Sequence, residues 1–195
     1  MHNLMPFDEL NTFKGMVTEY KTEPLTLFEK EKKREEILDY IEWVLIESYV
    51  YGNVQAMNDL GILDRDPADL VNQDRMREVI DKSVADKTYH DRITEYLNSD
   101  DSTVEDFMRV AETDSTRVYN TGVVDGGKAS RVKGVKKQWV TAGDERVRDP
   151  HQWLDGVIVP LDEKFYVDGD SAMAPGGFSD PALNVNCRCE ISLIY

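Results

Sequence analysis

The feature that most restricts this chain is a change of hydrophobic period near Gly134. Before it, apolar residues recur at three- and four-residue steps, the spacing of helices that bury one face. After it, β-branched and aromatic residues gather in short runs between turn residues, as strands do. With 195 residues and 41% hydrophobic content, the chain has enough apolar surface for a core, which argues against wholesale disorder. The expected fold is α+β: a helical N-terminal region followed by a small mixed α/β module with a short, mainly antiparallel sheet. Two units are expected, a helical, partner-docking region over 1–101 and a compact module over 102–195.

The clearest helix runs from Phe28 to Tyr51, where Ile37, Ile41, Val44, Leu45 and Ser48 make one stripe, and Gly52 and Asn53 are expected to end it. Trp43, with Tyr40, Tyr49 and Tyr51, widens that stripe. The set Ile37, Ile41, Trp43, Val44 and Leu45 is therefore a candidate face for docking another protein, although such aromatic surface is more usually core. Asp66-Pro67 reads as an N-cap opening a helix through Leu70, Val71, Met76, Val79, Ile80 and Val84. Ser102 and Glu105 have capping-box spacing ahead of Phe107, Val110, Ala111 and Val118. Gly122, Gly126 and Gly127 are expected to stop or loosen that helix. Strands are expected over 135–141, 157–159 and 165–167 and at the alternating Ile191, Leu193 and Tyr195, with an extended loop from Ser171 to Pro181. Residues 1–27 show no clear period.

The formal net charge is -15 and the pI is near 4.6, which argues against a general nucleic-acid coat or a binder of anionic membranes. No stretch approaches the roughly 18 uncharged apolar residues of a membrane span, and the N-terminus lacks the pattern of a secretion signal. Cys187 and Cys189, as Cys-Arg-Cys, are no secreted disulfide scaffold, so a reducing cytoplasm is the expected folding compartment. The charge is uneven, however. From Lys128 to Arg148, seven basic residues stand against Asp144 and Glu145. Lys128, Arg131, Lys133, Lys136 and Lys137 are thus candidate contacts for DNA or an acidic partner; the plainer reading is a solvated strand and loop.

Candidate chemistry is confined to the C-terminal half. His151, Cys187 and Cys189 are residue types that bind zinc, with Asp144 or Asp155 available to complete a tetrahedron. The signal is weak, because a Cys-x-Cys pair is narrower than a usual zinc knuckle and no second pair follows. Small buried thiols and a hydrogen-bonded imidazole are the plainer reading, so no cofactor or metal is expected. A nuclease or transferase would use His151 as base and Asp144 or Glu145 as a metal ligand. No glycine loop for phosphate and no framed nucleophile accompanies them. The expectation is a protein that is not an enzyme, with a metal-dependent nuclease or toxin-like transferase as the alternative.

From about residue 105 onward, several blocks occur in an order that resembles the phage Mu protein F-like family of minor head, or head morphogenesis, proteins. Ala111-Glu112-Thr113 with Arg117, Tyr119 and Asn120 is similar to a helix of that family. Lys137-Gln138-Trp139-Val140-Thr141 is similar to its Lys-x-Trp-x-Thr strand. Asp144-Glu145-Arg146-Val147-Arg148, His151 and Leu154-Asp155-Gly156 resemble its core, and Phe165, Pro175 and Asn186-Cys187-Arg188-Cys189 its tail. In the first of these blocks Glu112-Thr113-Asp114 departs from the family's order. The resemblance implies a minor capsid protein of a tailed bacteriophage. Such a protein is associated with the portal or inner head surface and acts in procapsid assembly, genome packaging or delivery. Implied partners are the portal protein or the major capsid protein, and packaged DNA. Several copies per virion, no membrane, and assembly in the host bacterial cytoplasm are also expected.

The motif residues are expected to brace a fold. Trp139 would cover the sheet, and Asp144 would bind Arg146, Arg148 or nearby amides and so pin the long turn. His151 would reach toward the Cys-Arg-Cys segment, with Asp155 and Gly156 in the turn before the second strand. Asn186 would bond local backbone to align the last strand, and Arg188 would pair with Asp144 or Asp155.

Overall fold

The computed structural model describes residues 7–84 and 86–195. Helix α1 spans Phe7–Thr22, α2 Leu27–Asp59, α3 Gln73–Ile80, α4 Tyr89–Leu97 and α5 Val104–Ala129. The short helices α6, Asp149–Gln152, and α7, Pro181–Asn184, are embedded among five strands. These are β1 (Lys136–Val140), β2 (Ile158–Pro160), β3 (Phe165–Val167), β4 (Asp170–Ala172) and β5 (Glu190–Ile194). The architecture is α+β, with helices first and a small antiparallel sheet region after them. None of the described helices is long and apolar enough to cross a membrane.

The long helices begin where side chains satisfy free backbone amides. At α2, Thr26 Oγ1 accepts from the Glu29 amide while the Glu29 carboxylate accepts from the Thr26 amide. At α5 the Asp106 carboxylate accepts from the amide and the hydroxyl of Thr103, one residue beyond the expected Ser102 and Glu105. Ser102 instead donates to the carbonyls of Tyr96 and Ser99. The helix expected from Pro67 to Val84 is interrupted. A single 3-10 turn covers Pro67–Asp69, and α3 restarts behind Asn72, whose side chain accepts from the Arg75 amide. The stretch lacking a clear period holds α1, which buries Leu10, Phe13, Val17 and Tyr20.

Helices α2 and α5 form the axis of the molecule, and glycine lets them touch. A Cβ on Gly52 would lie 2.2 Å from the Tyr119 carbonyl oxygen, and one on Gly122 2.4 Å from that of Tyr49. Neither residue ends its helix as expected. Lost helix propensity, about 1 kcal/mol per glycine, is offset by backbone contact and by tight packing of Ala56 and Val123. Gly127 leaves room for Leu193 and Leu161, where a Cβ would sit 2.7 Å from Leu193 Cδ1.

Two apolar clusters result. One joins α1, α3, α4 and the first halves of α2 and α5. In it, Ile37, Ile41, Val44 and Leu45 are at most 1% exposed. The docking face expected there is therefore corrected: these side chains are covered from within the chain, chiefly by α5. Only Trp43 keeps a substantial open face, at 41% exposure and tilted against Tyr40. The other cluster joins the ends of α2 and α5 to the sheet, around Trp139, Phe165 and Leu193. Inside the helical half, Asp114 is buried between Arg117 and Arg92. Arg117 also donates to the carbonyls of Val79 and Ile80, so the charge is fully partnered.

The sheet has strand order β2-β1-β5, antiparallel throughout, with Trp139 opposite Ile191 and Lys137 opposite both Leu193 and Val159. Strands β3 and β4 form a separate hairpin. Its two-residue turn, Asp168-Gly169, has positive φ at both positions, which matches the right-handed twist of the strands. The loop expected from Ser171 onward thus begins inside a strand. The free edge of β5 is held by side chains of the helices. The Ile191 amide donates to Asn120 Oδ1 at 2.8 Å and the Leu193 amide to Asp59 Oδ2 at 2.7 Å.

Candidate functional site

The motif residues converge on the seam between β1, α6 and the segment entering β5. Trp139 is inaccessible because β1 alternates and its odd residues face α5 and the hairpin. Its ring meets His151, Phe165 and Phe178 at centroid distances of 5.3, 5.2 and 5.8 Å. His151 is turned inward by α6, a single helical turn that Pro150 is suited to open and that Arg148 precedes as the cap residue.

The turn between β1 and α6 is built on Asp144. Its Oδ1 accepts from the Arg146 amide at 3.1 Å, and its carbonyl accepts from the Val147 amide. The same carboxylate receives both arms of the Arg188 guanidinium at 2.7 Å each. That guanidinium, then the Arg146 amide, holds the Asp144 carboxyl down to about 2. Arg148 donates to the carbonyls of Ala182 and Val185; the Arg146 side chain is exposed. Asp155 Oδ1 accepts from the amide and hydroxyl of Thr141 at 2.8 and 2.9 Å. Gly156, at positive φ, donates its amide to the Trp139 carbonyl. Loop after loop is thereby tied to its neighbour.

Behind this layer lie the thiols. His151 Nδ1 is 3.4 Å from Cys189 Sγ and 3.6 Å from Cys187 Sγ. All three residues are at most 4% exposed, and both cysteines are free. The Cys187 thiol is shifted toward its ionised form, first by the hydrogen bond from Cys189 and next by His151, against burial. Cys189 is shifted the opposite way by the same shared proton and by burial. His151 Nε2 is buried without a partner. Beyond Cys187 and Arg188, an open cleft of about 1080 Å³ separates the motif loops from α1 and α5.

Two expected roles are reassigned. Asn186 was to anchor the last strand through its side chain. It instead sits exposed at φ 56, a conformation asparagine tolerates, and its amide donates to Thr113 Oγ1. The anchoring falls to Asn120 and Asn184. Asn120 donates to the Cys189 carbonyl and accepts from the Ile191 amide; Asn184 exchanges two hydrogen bonds with the Phe178 backbone. Lys137 was a candidate DNA or acidic-partner contact, but it is fully buried, so it cannot serve as one. Its Nζ donates to the Leu161 carbonyl at 3.0 Å and lies 5.5 Å from the Phe165 ring centroid. Desolvation, then Lys128, lowers its pKa to about 8. Lys128, Arg131, Lys133 and Lys136 are exposed, with Lys128 3.5 Å from Asp162.

A thin sheet packed on a helix pair, with its loops stitched by ionic and amide contacts around a buried imidazole and two thiols, defines a self-braced α+β module. The chain belongs to the Phage Mu protein F like protein family, whose sequence profile matches residues 73–192. It is 36% identical over 87 residues to Minor head protein GP7 of Bacillus phage SPP1, an alignment covering 44% of this chain and 28% of that protein. It is also 32% identical over 100 residues to NAD(+)--arginine ADP-ribosyltransferase EFV of Enterococcus faecalis, covering 50% of this chain and 20% of that protein. The chain thus spans well under a third of either relative along the matched stretch. No solved structure gives a significant match.

Proposed function

We propose that this chain is a minor head component of a tailed bacteriophage that acts in head morphogenesis and resides in the virion. Its partners are other head components, with the portal protein or the inner face of the shell as the docking surface. The family match over 73–192, together with its similarity to a minor head protein, carries the reading. The motif's chemistry is consistent with it. Asp144, one of the two acids a nuclease or transferase would draw on, is engaged by Arg188, Asp155 by Thr141, and Arg148 by backbone carbonyls. These contacts stabilise loops.

Lys128, Arg131, Lys133 and Lys136 form the exposed basic strip of an otherwise acidic protein. They are the residues proposed to lie against packaged DNA or an acidic face of the portal. The similarity to the ADP-ribosyltransferase marks the second reading, a transferase carried in the head. Virions purified through a density gradient and digested for mass spectrometry test the primary reading. Peptides of this chain are expected at several copies per particle, with crosslinks to portal or shell. A chain missing from purified particles, while abundant in the infected cell, sinks it. NAD-dependent labelling of arginine substrates by the purified protein would favour the second.

A further inference from the structure

His151, Cys187 and Cys189 have a geometry that also matches the edge of a metal site. An unprotonated Nδ1 has one lone pair and accepts from one thiol; a protonated Nδ1 offers one N–H. Two sulfurs nevertheless stand at 3.4 and 3.6 Å from that nitrogen. In a tetrahedral zinc site, with Zn–N about 2.0–2.1 Å and Zn–S about 2.3 Å, neighbouring nitrogen and sulfur ligands stand about 3.6 Å apart. The observed separations are close to that edge, and the three ligand atoms all lie within 4.8 Å of one another.

We propose that His151, Cys187 and Cys189 bind one zinc ion, which staples the α6 turn to the segment entering β5. The donor set suits a borderline-soft ion. Two thiolates cancel the two positive charges of zinc, so the buried site carries no net charge to desolvate. Uptake of one ion releases the two thiol protons to solvent, and no redox step is involved. The ligands are held in place by the protein itself. The Cys187 amide donates to the Asn184 carbonyl, and the Cys189 carbonyl accepts from Asn120. His151 is fixed by α6 and by the Trp139 and Phe178 rings. Asp144 and Asp155, the acids the sequence offered as a fourth ligand, are engaged elsewhere, so the chain supplies three ligands. The staple closes a loop of more than thirty residues, the arrangement in which metal binding becomes folding energy.

The proposal stands independently of any role in a phage head. Its test uses the full chain, purified under reducing conditions, stripped by a chelator, and titrated with zinc alone and cobalt(II) alone. One equivalent per chain is expected, with a raised thermal midpoint and protection of both thiols from alkylation. Cobalt is expected to give a thiolate-to-metal charge-transfer band and the intense visible bands of tetrahedral coordination. Cys187→Ala and Cys189→Ala, each checked for folding by circular dichroism, should weaken zinc binding by at least about tenfold. A folded wild-type chain that takes up neither metal and leaves its thiols unprotected overturns the proposal. So does zinc bound with undiminished affinity by both cysteine variants.

Discussion

Arg188 and Asp144 meet in a two-armed ion pair, Nη1 to Oδ2 and Nη2 to Oδ1, both at 2.7 Å. This contact closes the β1–α6 turn over the segment that carries both cysteines. Asp144→Ala is expected to lower the thermal midpoint and to speed amide exchange over 142–148 and 184–190 while leaving α1 to α4 protected. Arg188→Lys should behave almost as badly, because an ammonium cannot form the planar fork. The Asp144 pKa is depressed from 3.8 to about 2. Its contribution is therefore complete above the unfolded value and is lost as pH falls from about 4 to 2. An acid titration in which wild type and Asp144→Asn lose stability in parallel over that interval would refute the assignment.

Asn120 ties α5 to β5 through both ends of its amide, and it is wholly buried. Asn120→Ala orphans the Cys189 carbonyl and the Ile191 amide, at a cost of about 2–4 kcal/mol. Urea unfolding should show that loss. Asn120→Asp should not restore stability, since it presents a second acceptor to the Cys189 carbonyl.

Gly122→Ala places a methyl group 2.4 Å from the Tyr49 carbonyl oxygen. Because the obstacle is helix backbone, α2 and α5 must separate, and a loss of about 3 kcal/mol or more is expected. The gain in helix propensity, about 1 kcal/mol, does not compensate. A variant as stable as wild type would show that the two axes do not pack this closely in solution.

Lys137 carries an amine into the core, with its pKa lowered from 10.5 to about 8. Between those values the unfolded chain binds more protons, so the wild type gains stability as pH rises from 8 to 10.5. The full gain is on the order of 3 kcal/mol. Lys137→Met should abolish that alkaline gain. At pH 7 it should stay within about 1 kcal/mol of wild type, because relief from burying the amine offsets the lost bond to the Leu161 carbonyl. Chemical denaturation at pH 7 and pH 10 measures both terms.

Local periodicity and turn chemistry made the class of fold legible. The α2 stripe, the strands at Trp139, Val159 and Phe165, and the alternation at Ile191 and Leu193 are all visible from spacing. What spacing could not report is which partner covers an apolar face. Ile37 and Ile41 read the same whether they meet another protein or α5. Gly52 and Gly122 signal chain breaks by propensity, and only the opposing helix shows why they persist inside α2 and α5. Asp168-Gly169 was a readable hairpin signal that the strand pattern alone passed over. At the site, Asp144, Arg188, His151 and the cysteines are marked by chemical type. Asn120 and Asn184 are not, because their value lies in backbone groups far along the chain. Lys137 was misread because charge patterning treats a lysine as solvated, whereas its position opposite Leu193 turns it inward.

The outward amides of β5 at Ile191 and Leu193 are already occupied by Asn120 and Asp59. On the opposite side β2 has only three residues and ends in Pro160, which lacks an amide hydrogen. The sheet therefore presents little template for another strand to join. Copies of this protein crowded together at high local concentration are guarded against polymerising edge to edge, and their association is left to side-chain surfaces.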